Sequence, residues 1–183
     1  VRGWFLLFHA PAFLSASTAH TERAGFAKSI VLVHSKTEGG DIMADVYYLS
    51  IDGNVKLSEH FRLREFACKD GQDFVAVEPK LVALLENIRR HCDGEAVHIN
   101  SAFRTASYNR TLPNSAEHSQ HLYGRAADIW VGHYDKQRRP VRTKTPAQVA
   151  AIAETYLGAS GGIGIYSTFT HIDVRKVSAR WNG

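Results

Sequence analysis

The sequence predicts a small mixed α+β domain. Three observations carry that expectation: an amphipathic helix opened by Pro79, a well-capped helix opened by Thr145-Pro146, and short strand-like runs around them. These runs lack the strand–helix–strand rhythm of a doubly wound sheet. At 183 residues the chain is long enough for one buried core.

In chain order, Asp45 to Ile51 alternates as a strand and Asp52-Gly53 turns it. Leu57 to Phe61 and Leu63 to Cys68 read as short helical or turn pieces. The helix from Pro79 places Leu81, Val82, Leu84, Leu85, Ile88 and Cys92 on one face, with Lys80, Glu86, Arg89 and Arg90 outside, and ends at Asp93-Gly94. Ala96 to Asn100 reads as a strand, residues 101–120 as a polar, turn-rich loop, and Ala126 to Val131 as a second strand. Thr145 is an N-cap with Gln148 completing a capping box, and Gly158 ends that helix. Gly161 to Tyr166 and Thr170 to Val174 are two strands joined by a turn. No internal repeat occurs, and after Met43 no linker suggests a second domain.

Composition excludes more than it selects. Hydrophobic residues make up 44% and charged residues 22%, the balance of a globular domain rather than a disordered tail. No apolar run reaches the roughly 18 residues that span a bilayer. The formal charge of +4 suits an anionic partner, either a cell-wall polymer or nucleic acid, and equally suits a solvated surface with a few extra Lys and Arg. The basic residues are scattered apart from Lys136 to Arg139, and no nucleic-acid motif is present, so no nucleic-acid partner is expected. Cys68 and Cys92 form no CxxC pair, which argues against a thiolate metal site and leaves a single bridge between them open.

Residues 1–42 read as an irregular extension, apart from a domain over 43–183. Arg2, the apolar run from Trp4 to Leu14 and the small residues from Ser15 to Ala19 outline a secretory signal. A second reading makes Met43, the only methionine, the natural start, with Glu38-Gly39-Gly40 encoded by purine-rich codons ahead of it.

The chemistry concentrates in Ser119-Gln120-His121-Leu122-Tyr123-Gly124-Arg125-Ala126-Ala127-Asp128. His121 lies on a polar loop, and Asp128 at the start of a packed strand needs a partner or a metal. Thr170-His171-Ile172-Asp173 supplies a third ligand, with His171 and Asp173 on one strand face. Two imidazoles and one carboxylate leave the fourth position of a tetrahedral zinc open to water, as in catalytic sites. Zinc can lower the pKa of that water to roughly 7. Spacing alone leaves the plainer reading open, with His121 an ordinary loop histidine and Asp128 paired with Arg125 or Arg104.

The segment resembles the SxHxxGxAxD signature of the peptidase M15 family of zinc D-Ala-D-Ala carboxypeptidases, whose fold is shared with the hedgehog signalling domain. Three further motifs carry the likeness to its small bacterial and phage members over residues 57–183. These are Phe66 to Gly71, Asn100 to Thr105 with Tyr108-Asn109, and Phe169 to Arg175 with Trp181. The resemblance implies a hedgehog/DD-peptidase-like central antiparallel sheet flanked by helices. It implies His121, Asp128 and His171 as ligands of one Zn2+. The implied activity is hydrolysis of peptidoglycan stem peptides or cross-bridges, as carboxypeptidase or endopeptidase, by a monomer acting on the cell wall from the periplasm, from outside or from a phage particle.

By the same resemblance Arg104 binds the substrate carboxylate or the carbonyl oxygen as charge develops. Ser119 and Gln120 shape the ligand loop beside the substrate. The family's general base, a Glu three residues before the last ligand or a His two before it, is replaced here by Thr168 and Phe169. Asp173 is the nearest carboxylate to take that role, or else it orients His171 or an arginine. Glu117 and His118 are outer candidates. The missing base keeps a rival reading open, a non-catalytic zinc-containing cell-wall binding or structural module. Gly158-Ala159-Ser160-Gly161-Gly162 matches GxSxG, but a helix precedes it and a strand follows, the reverse of a nucleophile elbow.

Overall fold

The strands form two sheets among the described residues of the computed structural model, which are 16–18, 31–37 and 40–183, with side chains from Ala44. The first sheet orders β1 (Ala16–Thr18), β2 (Val31–Thr37), β3 (Gly40–Tyr48) and β4 (Phe74–Val77), antiparallel throughout. The second contains β5 (Val97–Ser101), β6 (Ala126–Tyr134), β7 (Pro140–Arg142), β8 (Gly162–Ile165), β9 (Thr170–Asp173) and β10 (Ala179–Asn182). Its order is β10-β8-β9-β6-β5 with β7 also on β6, and every pairing is antiparallel except β10 with β8. The α+β expectation holds.

Four helices accompany the sheets: α1 (Leu49–Asp52), α2 (Pro79–His91), α3 (Ala106–Thr111) and α4 (Pro146–Leu157). In α2, Leu81, Leu85 and Ile88 are fully buried, as the periodicity predicts. Burying each contributes about 1.5–3 kcal/mol. They share one core with Val149, Ala150 and Ala153 of α4, Ala127, Ile129 and Val131 of β6, Ile163 of β8 and Ile172 of β9. No helix among the described residues is long and apolar enough to cross a membrane.

That core decides where the polar residues go. Successive strand residues point to opposite faces. With Ile129 and Ile172 turned to the helices, Asp128, His171 and Asp173 are carried to the other face. Asp128 lies directly opposite His171 in the β6–β9 pairing. Gly162 and Gly164 of β8 share this face, where an added Cβ would collide with Asp173 and Trp181 respectively.

Several boundaries differ from expectation. The strand expected over 45–51 ends at Tyr48, because Asp73 draws the chain into α1: Leu49 N–H donates to its carbonyl (2.6 Å) and Ser50 N–H to its carboxylate (2.7 Å). The loop expected over 101–120 contains α3, capped by the Thr105 hydroxyl accepting from Tyr108 N–H (3.1 Å). Of residues 1–43, those described are extended backbone at Ala16–Thr18 and Val31–Thr37 and in β3 from Gly40. The apolar run over 4–14 lies outside the described residues. Cys68 and Cys92 are both buried and unpaired.

Candidate metal centre

His121 is delivered by a 3-10 turn, Gln120–Tyr123, that ends on Gly124 in the left-handed region at φ 66°. A Cβ there would strike the backbone of Ala76 in β4, so glycine alone seats this loop against the first sheet. The turn is also tied to the chain after β5, with Arg104 N–H donating to the His121 carbonyl (3.1 Å). Phe103 N–H donates in turn to the Phe66 carbonyl (3.1 Å), and the Thr105 hydroxyl meets the Asp70 carboxylate. The motifs around Phe66, Arg104 and His121, far apart in sequence, therefore lock one another in place.

Three donor atoms converge. His121 Nε2 lies 3.2 Å from both Asp128 Oδ1 and His171 Nδ1, and those two atoms are 2.9 Å apart. All three residues are buried. The outer nitrogens are committed elsewhere: His121 Nδ1–H donates to the Ala102 carbonyl (2.6 Å) and His171 Nε2–H to Asp173 Oδ2 (3.1 Å). When both rings are neutral, their inner edges are lone pairs facing each other and a carboxylate oxygen. Three such acceptors without a cation or proton between them repel. Their spacing approaches the edge of about 3.3 Å expected of a tetrahedron with bonds of about 2.0–2.1 Å to nitrogen and oxygen. The donor set fits a zinc-sized cation.

Electrostatics agree with the geometry. Burial drives the His121 imidazole toward its neutral form, the form that ligates metal. Burial also pushes His171 down, but Asp128 and Asp173 outweigh it and raise its pKa. Burial works against the Asp128 carboxylate, yet its contacts with His121 and His171 hold it below the ordinary carboxylate range. A proton on His171 is therefore favoured by the same two carboxylates that flank the ring.

A protein-family model described as Peptidase M15 matches residues 58–173, more than half of the chain. The chain belongs to the peptidase M15 family. No curated protein and no solved structure matches it. The M15 match spans all three converging residues, and it makes peptide-bond hydrolysis the chemistry of the family in which this cluster sits.

Arg104 lies at the edge of the cluster, with Nη2 donating to Asp128 Oδ2 (2.6 Å) and Nε to Ser101 Oγ (2.9 Å). A register shift in β5 between Ile99 and Ser101 sets Ser101 opposite Asp128. Gln120 Oε1 accepts from Arg125 Nε (2.5 Å) and so braces the turn that holds His121, while Ser119 is the N-cap of that turn without a side-chain cap hydrogen bond. Glu117 and His118 are exposed. Ser160 donates to the Leu157 carbonyl (3.0 Å) in the turn before β8, away from any nucleophile elbow.

Asp173 sits behind His171 rather than at the open edge of the cluster. It is fully buried, and its oxygens receive His171, the Arg175 backbone N–H (3.0 Å) and the Arg175 guanidinium (2.5–3.0 Å). It also lies across the imidazole from the nitrogen that faces the cluster. The geometry is that of the orienting alternative. Arg175 itself carried no role in the sequence reading, although His171, Asp173 and Arg175 alternate at the period of a single strand face.

Proposed function

We propose that the chain is a zinc peptidase of bacterial peptidoglycan on a DD-peptidase/hedgehog-like fold. It would cut stem peptides as a D-Ala-D-Ala carboxypeptidase or cross-bridges as a murein endopeptidase. The observation that carries this reading is the convergence of two imidazole nitrogens and a carboxylate oxygen within 2.9–3.2 Å of one another. His121, Asp128 and His171 hold the ion. When bound, zinc supplies Lewis acidity and makes water a nucleophile at neutral pH.

The chain's own residues do the rest. Arg104 keeps Asp128 Oδ2 turned away from the cluster, and its Nη1 makes no hydrogen bond among the described residues. That donor is available for a substrate carboxylate or for charge developing on the carbonyl oxygen. Ser119 and Gln120 hold the loop that borders the substrate. Asp173 fixes the ring of His171.

Purified protein incubated with muropeptides, with and without chelator, tests the reading. Chelator-sensitive loss of one D-Ala identifies a carboxypeptidase, and cleaved cross-links an endopeptidase. The commitment of Asp173 to His171 and Arg175 favours a second reading, a zinc-containing cell-wall binding module. Binding of muropeptides without any product from zinc-replete protein would select it.

A further inference from the structure

We propose that Arg175 is a positioning residue of the metal centre, acting on His171 through Asp173. The inference rests on His121, Asp128 and His171 being the metal set. Arg175 is not a ligand and does not touch one through a hydrogen bond. Its Nε lies 2.8 Å from Asp173 Oδ1 and 3.0 Å from Oδ2, its Nη2 2.5 Å from Oδ2, and its backbone N–H donates to Oδ1 (3.0 Å). A carboxylate gripped in this way cannot rotate, so the oxygen that accepts His171 Nε2–H at 3.1 Å keeps one direction. That hydrogen bond leaves the Nδ1 lone pair as the one aimed at Asp128 and His121.

The surroundings are shaped for this clamp. Gly162, opposite Asp173 in the β8–β9 pairing, has no side chain where the Asp173 carboxylate and Arg175 Nε lie. Trp181 of β10 covers both ends, its ring 5.1 Å from that of His171 and 5.7 Å from the Arg175 guanidinium carbon. Asp173 is fully buried, so a charge there without its cation would be costly. The fork geometry is specific to arginine, because a lysine ammonium offers a point charge without two parallel donors.

Zinc affinity measured by competition with a chromophoric chelator tests the clamp without any peptidase assay. Arg175→Gln is expected to weaken zinc binding by about 10–100-fold, with Arg175→Lys between it and the parent. In an Asp173→Asn background, Arg175→Gln is expected to add little, since the residue acts through that carboxylate. Circular dichroism of the zinc-free proteins reports the fold, and if Arg175→Gln unfolds, Arg175→Lys carries the comparison. Parent-like affinity in the folded variant, or equal additive losses in both backgrounds, would overturn the role of Arg175. A parent protein that binds no zinc would overturn this role together with the metal site on which it depends.

Discussion

Asp128 divides its two oxygens between two imidazoles and a guanidinium. Oδ1 faces the imidazoles, while Oδ2 accepts from Arg104. Asp128→Asn keeps the size of the side chain but removes the charge that a cation needs. We expect it to lose zinc by more than about 100-fold in chelator competition, beyond the range of an outer partner. Retention of parent affinity would remove Asp128 from the ligand set. Gly124 is a second single-residue test, of architecture rather than charge. Its φ of 66° and its seat against the Ala76 backbone leave no room for a methyl group. Gly124→Ala should therefore lower unfolding free energy by about 1–3 kcal/mol in urea titration. An unchanged midpoint would mean that the ligand loop is not seated on β4.

Among the elements, legibility followed how local the cause was. The second long helix announced itself because its reasons lie within four residues: Gln148 N–H donates to Thr145 Oγ1 (3.3 Å) and Thr145 N–H to Gln148 Oε1 (2.8 Å). Thr145→Ala is expected to cost about 1 kcal/mol of stability by thermal or urea unfolding. Zinc affinity should not change, since α4 packs on the face of the sheet opposite the ligands. A large loss of zinc with Thr145→Ala would show that the faces are coupled. The short helix after Thr105 escaped notice because its six residues are mostly polar and carry no apolar stripe. The last strand escaped because only Trp181 marks it and its partner, β8, is non-local and parallel. The region from 101 to 120 was legible as chemistry and not as structure.

At the scale of the whole molecule, the proposed metal and a proton would compete for one space. The folded-state pKa of His171 is raised by Asp128 and Asp173 against the effect of burial. Its protonated form therefore stabilises the metal-free fold fully below the unfolded value of about 6.5, and that contribution disappears as pH rises through the folded value. Asp128 has the opposite sign: burial opposes its charge, but His121 and His171 lower its pKa. Its contribution is present above the unfolded value of about 3.9 and fades only as pH falls through the folded one. Zinc binding requires His171 Nδ1 to be free of its proton, so the ion's stabilising effect grows as pH rises. The gap in Tm between zinc-loaded and chelator-treated protein should widen from pH 6 to pH 8. A constant or narrowing gap would show that His171 does not exchange a proton for the metal.

Residue types and spacing made His121, Asp128 and His171 candidates, and the family resemblance over four ordered motifs singled them out, with Arg104 beside them. The sequence by itself determined the two long helices, whose caps and stripes act over a few residues. The surroundings of Asp173 are a matter of tertiary packing, because they depend on which nitrogen of His171 faces inward and on which cation grips the far carboxylate. A sequence names both groups but holds no directions. The packing of Ile129 and Ile172 against the helices turned the ligands to one face, and Gly162, Arg175 and Trp181 closed around Asp173 from neighbouring strands.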